Sequence, residues 1–330
     1  MNQEFKQISQ EELQKAMEIT NRIKTYYQSK IVGQPWLGFS LMVTMVANGH
    51  LLVESIPGLA KTTAAKVMTE AVDGKFSRIQ CTPDLMPGDL IGTQIFNFAT
   101  NTFETKIGPV NANFVLLDEI NRSSAKTQSA MLEVMQERQI SIADKTYDLP
   151  DVYIVIATQN PIEQEGTYVL SEAQLDRFLL KEKLDYPTPE EEVEILNRME
   201  QNVFENIETA ASLQEVKYLQ KLCKRVYMDQ SIKQYIVDIV QATRNTEKIL
   251  SEELAQYVTL GASTRAAIAF MDVAKAVALL NGRNYCIPDD VKTLRYSVLR
   301  HRISLNYAAI ADGIEVEQII DAIIGAVKTP

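Results

Sequence analysis

Leu52-Val53-Glu54-Ser55-Ile56-Pro57-Gly58-Leu59-Ala60-Lys61-Thr62-Thr63 runs from an apolar stretch of strand length, through a turn of proline and glycine, into a helix-like segment, Ala64 to Val72. Strand, small-residue loop and helix in that order are the setting of a phosphate-binding loop. Residues Pro57, Gly58, Leu59, Ala60, Lys61, Thr62 and Thr63 are expected to hold nucleotide phosphates on backbone N–H groups at the helix N-terminus. Lys61 would reach the β- and γ-phosphates as a point charge, and the Thr62 hydroxyl would bind Mg²⁺. The strict pattern has glycine where Ser55 and Ala60 stand. An ordinary Gly-Pro turn before a helix with a surface lysine shares what is left, so the loop alone does not settle the chemistry.

A second signal stands downstream. Phe114-Val115-Leu116-Leu117 is an apolar run that ends in Asp118-Glu119. Two carboxylates at the tip of a buried strand are costly unless they have a purpose. Asp118 fits a Mg²⁺ site through water, and Glu119 fits a base that orients and deprotonates an attacking water. The two motifs in this order point to an ATPase with ATP and Mg²⁺ as cofactors and Thr62 and Asp118 at the metal. A third strand ends in Ala157-Thr158-Gln159-Asn160-Pro161. The Asn160 amide beside the phosphates would position the water or sense the γ-phosphate, although Asn-Pro is also a plain turn signal.

Around these motifs, His50 to Val53, Phe76 to Ile79, Phe114 to Leu117 and Tyr153 to Ala157 read as strands alternating with helices such as Thr127 to Glu137. That alternation predicts an α/β fold, a parallel sheet with flanking helices. Glu11 to Tyr27 reads as an amphipathic lead-in helix. Thr82 to Asn113, punctuated by Pro83, Pro87, Gly88, Gly92, Gly108 and Pro109, reads as an insertion, and Arg138 to Pro150 as a hairpin turning near Asp144 and Lys145. The composition shifts at Tyr186-Pro187-Thr188-Pro189, after which the pattern is helical to Pro330. The expected division is an α/β nucleotide-binding domain over 1–185 and a small all-helical lid domain over 186–330.

The chain has 330 residues, with 33 Lys and Arg against 43 Asp and Glu, a net charge of −10 and a pI near 5.0. That balance argues against a dedicated nucleic-acid binder, whose phosphate contacts need clustered cations. Cys81, Cys223 and Cys286 are scattered, as buried thiols in a reducing compartment would be. With His50 and His301 the only histidines, no Cys/His metal site assembles at usual spacing. Met1 to Gln10 is polar, and the apolar stretch Ala266 to Leu280 is broken by Asp272 and Lys275. The expectation is a cytoplasmic protein without a membrane span.

At this point the residues resemble the MoxR family of AAA+ ATPases. The resemblance is carried by Asp118-Glu119-Ile120-Asn121-Arg122, by Ala157-Thr158-Gln159-Asn160-Pro161-Ile162-Glu163-Gln164-Glu165-Gly166-Thr167-Tyr168, and by Glu172-Ala173-Gln174-Leu175-Asp176-Arg177-Phe178. Val32-Gly33-Gln34, Gly261-Ala262-Ser263-Thr264-Arg265-Ala266 and Arg300-His301-Arg302-Ile303 extend it over nearly the whole chain. The resemblance implies that Val32, Gly33 and Gln34 lie against the adenine, that Asn160 is the sensor 1 residue and Arg265 the sensor 2 arginine, and that Arg177 is an arginine finger acting on a neighbouring subunit's ATP. It implies a homo-oligomer, a hexameric ring, that remodels or activates other proteins, with a von Willebrand factor A domain protein as partner; the substrate protein is not readable. The family usually has glycine where Ser55 stands, which would weaken nucleotide affinity, and prolines where Val169, Ser171 and Thr264 stand. Arg122 is either a contact to a neighbour or a solvated charge.

The competing readings are a nucleic-acid motor related to MCM helicases, with Lys106 and Lys145 lining a pore, and a GTPase switch. The acidic balance and the lack of a nucleic-acid module weigh against the first, and the lack of an Asn-Lys-x-Asp guanine motif against the second.

Overall fold

The computed structural model describes residues 7–56, 58–161, 167–200 and 209–330. Pro57 and the stretch 162–166, both named above, lie outside the described residues.

The lead-in helix α1 spans Gln10–Lys30. It starts where Ser9 and Glu12 cap each other: the Glu12 N–H donates to the Ser9 hydroxyl at 3.1 Å and the Ser9 N–H to the Glu12 carboxylate at 3.0 Å. A second helix, α2, covers Pro35–Ala47. The sequence reading passed over it, because Leu37, Leu41, Met42, Val43, Met45 and Val46 bury it on every side and leave no amphipathic period.

The apolar runs form the sheet. Strands β1 (Leu51–Glu54) and β2 (Phe76–Gln80) come first, separated by α3 (Lys61–Ala71). Pro87–Ile91, helix α4, and the hairpin of β3 (Gly92–Asn97) and β4 (Thr102–Ile107) make up the insertion. Strand β5 (Phe114–Asp118) follows, then a single turn at Ile120–Arg122 and helix α5 (Ala125–Glu137). The second hairpin pairs β6 (Gln139–Ile142) with β7 (Lys145–Asp148), turning at Ala143 and Asp144, one residue earlier than expected. Strands β8 (Ile154–Gln159) and β9 (Leu180–Lys183) complete a five-stranded parallel sheet in the order β2-β5-β8-β1-β9. The reading from sequence had no β9. Its residues Leu180-Lys181-Glu182-Lys183 are mostly charged, and an edge strand tolerates such residues where a central one does not.

Alternation along the strands sorts the core into two layers. Leu51, Val53, Phe114, Leu116, Ile154 and Ile156 face α1, α2 and α3. Leu52, Val115, Leu117, Val155 and Ala157 face the other way, onto Met131, Leu132 and Met135 of α5. The helical domain joins the first layer directly, since Phe270, Val273 and Val277 of the helix Thr264–Leu280 belong to the same cluster as Leu41 and Val43. Within the lid, a short antiparallel pair, β10 (Val258–Leu260) with β11 (Ser304–Leu305), departs from the expectation of helices alone.

Candidate nucleotide-binding site

Parallel strands bring their C-terminal ends to one edge of the sheet, and the loops there form the site. Ser55, just past β1, is buried and tied to the next strand by its N–H to the Gln159 carbonyl at 3.0 Å. Gly58 has φ +88° and an added Cβ would meet no atom within 4 Å, so a ligand can approach the backbone here. Ala60 has φ +53° and caps α3 without any side-chain hydrogen bond, leaving the first-turn N–H groups of α3 to an outside acceptor. Lys61 opens α3 and donates to the Ser55 carbonyl at 3.3 Å. Burial lowers its pKa, opposed by the nearby charges of Asp118 and Glu119.

The Asp118 carboxylate sits at the tip of β5. Its Oδ1 accepts from the Thr158 hydroxyl at 2.8 Å, and its Oδ2 takes Arg78 Nη2 at 2.6 Å and Nε at 3.2 Å. Glu119 adopts a left-handed φ of +58°, uncommon for a residue with a side chain and a form of strain that gathers at functional sites. The conformation is held by its N–H, which donates to Thr158 Oγ1 at 2.9 Å. Glu119 Oε2 accepts from Gln80 Nε2 at 3.1 Å and pairs with Arg122 Nη1 at 3.3 Å. Arg122 therefore touches Glu119 within its own chain. Asn160 follows β8 and is buried. Because β8 lies between β5 and β1, Asn160 falls between the two acids and the loop that ends in Lys61. One carboxylate and one hydroxyl are the oxygen donors Mg²⁺ takes, so Asp118 and Thr62 are of the right chemistry for the ion, with both Asp118 oxygens engaged by Thr158 and Arg78 in this structure.

The sequence reading gives no role to Arg78, Gln80 or Thr158. Arg78 and Gln80 point to the same side of β2, and Gln80 registers with Asp118 across the β2–β5 pair. Two polar residues at alternate positions in a short strand were the available signal, but it acquires meaning only once the pairing is known.

On the lid side, Gly33 and Gln34 lie between α1 and α2, both with positive φ. Gln34 Nε2 donates to the Asp185 carbonyl at 2.7 Å, just beyond β9. A cavity of about 450 Å³ is lined by Gly33, Pro35, Tyr27, Phe39, Met42 and Leu280; Val32 is not among its walls.

Two expected site residues are elsewhere. Arg177 donates from Nη1 to the Leu132 carbonyl at 3.1 Å. Together with Arg265, Arg302, Gly49 and His50 it lines a separate cleft of about 340 Å³. His50 immediately precedes β1, whereas the Lys61 loop follows it, so Arg177 and Arg265 share the opposite edge of the sheet from Lys61, Asp118 and Glu119.

This arrangement can be set beside known proteins. The model of the ATPase family associated with various cellular activities matches residues 50–180, and the AAA lid domain model matches 251–323. The chain is 45% identical to the chaperone MoxR1 of Mycobacterium tuberculosis over 91% of this chain and 79% of that one. The chain belongs to the MoxR family of AAA+ ATPases. The MoxR protein of Paracoccus denitrificans is 28% identical, covering 91% of this chain and 93% of its own. The crystal structure of a candidate ATPase from Cytophaga hutchinsonii superposes with a TM-score of 0.90, at 43% identity, over 96% of this chain and 97% of that one. As a MoxR-type AAA+ ATPase the chain binds nucleotide and hydrolyses ATP. The AAA model begins at the foot of β1 and ends in β9, so it takes in Lys61, the acids, Asn160 and Arg177, while the lid model takes in Arg265 and Arg302. Among the described residues no helix is long and apolar enough to cross a membrane.

Proposed function

We propose that this MoxR ATPase hydrolyses Mg-ATP at a site completed by arginines of a neighbouring subunit, and that the cycle remodels or activates a partner protein. The observation that carries the reading is the separation of charges: Lys61, Asp118 and Glu119 at one edge of the sheet, Arg177 and Arg265 together at the other. The uncapped first turn of α3 and Lys61 hold the phosphates. Thr62 and Asp118 hold Mg²⁺, which neutralises charge on the β- and γ-phosphates when bound. Glu119 takes the proton of the attacking water, and Asn160 orients that water against the γ-phosphate. The adenine lies against Val32, Gly33 and Gln34, beside the cavity that Gly33 lines. Arg177 and Arg265 supply positive charge to the transferring phosphoryl group of the next subunit's ATP.

The division at 185 and 186, the hexameric ring and a von Willebrand factor A domain partner complete the proposal; the last two are supported by the family resemblance. A reducing, cytoplasmic setting is supported by three free, buried cysteines. The test is a mixing experiment. Lys61→Ala and Arg177→Ala should each be nearly inactive. Mixed, a Lys61→Ala subunit presents its intact arginine to the intact pocket of an Arg177→Ala subunit, and ATPase activity should return. No recovery at any ratio, with mixed assemblies shown to form, overturns the neighbouring-arginine reading.

A further inference from the structure

Arg177 stands on a piece of backbone that is gripped from behind by the lid. Arg302 is buried, with only 2% of its side chain exposed. Its guanidinium donates to the carbonyls on both sides of Arg177: to Phe178 at 2.6 Å, to Leu179 at 3.2 Å and to Asp176 at 3.4 Å, as well as to Val298 of the lid. Its Nε donates to the Asp176 carboxylate at 2.8 Å, the charge that pairs this guanidinium. A buried guanidinium with its donors so used holds the chain in a single geometry.

The other oxygen of the same carboxylate turns to Arg265. Asp176 Oδ2 accepts from the Ser263 hydroxyl at 2.6 Å and lies 4.0 Å from Arg265 Nη1. Ser263 Oγ in turn accepts from the Arg265 N–H at 3.0 Å, capping the helix that begins at Thr264. One carboxylate therefore joins the strand-bound segment that carries Arg177 to the helix start that carries Arg265.

Resting on the reading that these arginines act on a neighbour's ATP, we propose that the Asp176–Arg302 pair is a positioning device that fixes Arg177 and Arg265 as one unit, so that Asp176 governs hydrolysis in the adjacent subunit's pocket and not in its own. Asp176 touches no phosphate in either subunit. Its effect passes through the two guanidinium groups, whose placement matters because a displacement of about 1 Å can cost roughly 100-fold in rate.

The experiment uses the full chain. Asp176→Asn keeps the shape and an oxygen to accept from Arg302, and removes the charge between the arginines. It should bind a slowly hydrolysed ATP analogue within twofold of the unaltered protein while its kcat falls by about 10- to 100-fold. Its complementation is the readout that a merely structural defect would not move. Mixed with Lys61→Ala it should regain activity, because its own pocket is sound; mixed with Arg177→Ala it should not, because both carry the defect on the same face. Unchanged turnover, weakened nucleotide binding, or rescue by Arg177→Ala would each overturn the proposal. The Lys61→Ala and Arg177→Ala mixture runs alongside. If that control fails, the neighbouring-arginine reading falls; if it succeeds while Asp176→Asn turns over normally, only the positioning role does. Ser263→Ala, at an exposed position, removes the link to the helix start without disturbing the buried pair. It guards against an Asp176→Asn that does not fold, and should show the same complementation pattern with a smaller, few-fold loss.

Discussion

Arg78 and Asp118 meet through a single carboxylate oxygen, with Nη2 and Nε both directed at Oδ2, while Oδ1 belongs to Thr158. The Asp118 carboxylate proposed to hold Mg²⁺ is thus already paired with a cation on the neighbouring strand. Arg78 is half exposed, so the pair is of the kind worth at most about 1 kcal/mol. Arg78→Ala should lower the Mg²⁺ concentration needed for half-maximal nucleotide binding by roughly two- to fivefold, the range such a pair supports. A magnesium titration of binding and of turnover checks this. A raised requirement would mean that Arg78 assists the ion and does not compete with it.

Lys61 and Glu119 should fail in different ways. Lys61→Ala removes the cation of the phosphate loop and should abolish ATP binding in calorimetry. Glu119→Gln keeps the shape and the contacts to Gln80 and Arg122 but accepts no proton. It should retain ATP and lose about 10²–10⁴ in turnover. Turnover within a few-fold of the unaltered protein would assign the base elsewhere.

The two non-glycine residues of the phosphate loop should behave oppositely. Ser55 is not among the described residues with positive φ, so its backbone does not need glycine. Ser55→Gly should leave ATP affinity within about threefold, against the weakening that the sequence alone leads one to expect at this position. Ala60 holds φ +53°, a conformation that costs a side-chain-bearing residue about 1–2 kcal/mol. Ala60→Gly should therefore raise the nucleotide-free melting temperature, net of the added unfolded-state entropy of glycine. A fall in melting temperature would refute that balance.

What the sequence made legible was whatever follows from neighbours along the chain. The strands β1, β5 and β8 are apolar runs; Asp118 closes β5, Asn160 follows β8 and the loop to Lys61 follows β1, so one parallel sheet gathers them at one edge. Helix α2 was not legible because burial on all sides erases its period, nor was β9, because an edge strand can read Lys-Glu-Lys. The partners of the acids were hidden for a different reason. Arg78 reaches Asp118 across 40 residues, and Arg302 reaches Asp176 across 126. Such pairings depend on register and domain packing, which no local pattern encodes.

Acid should destabilise the fold through two histidines. His50 accepts from the Val155 N–H and donates to the Met135 carbonyl; burial, aided by the charge of Arg138, pushes its pKa down to about 3. His301 is driven down by burial and by Arg302. The unfolded chain protonates both below about pH 6.5 while the folded chain does not. The contribution of His50 is therefore whole above that pH and is lost as pH falls toward 3, by at most about 1.4 kcal/mol per pH unit, and His301 acts in the same direction. Denaturant midpoints between pH 7.5 and 5 measure the slope. His50→Gln should be less stable at pH 7.5 yet lose stability less steeply; an unchanged slope would show that His50 is not one of the groups responsible.

The sheet runs from a phosphate-holding edge to an arginine-bearing edge, and this gives each subunit a direction. Two copies meeting end to end across a two-fold axis, through either of these edges alone, would present like to like and complete neither site. Under the proposed arrangement only head-to-tail contacts succeed. An open row of such subunits always ends in one pocket that no arginine reaches, and closing the row removes that deficit. A ring then has as many complete sites as members. Losing one member leaves its neighbour's pocket unattended as well as removing its own.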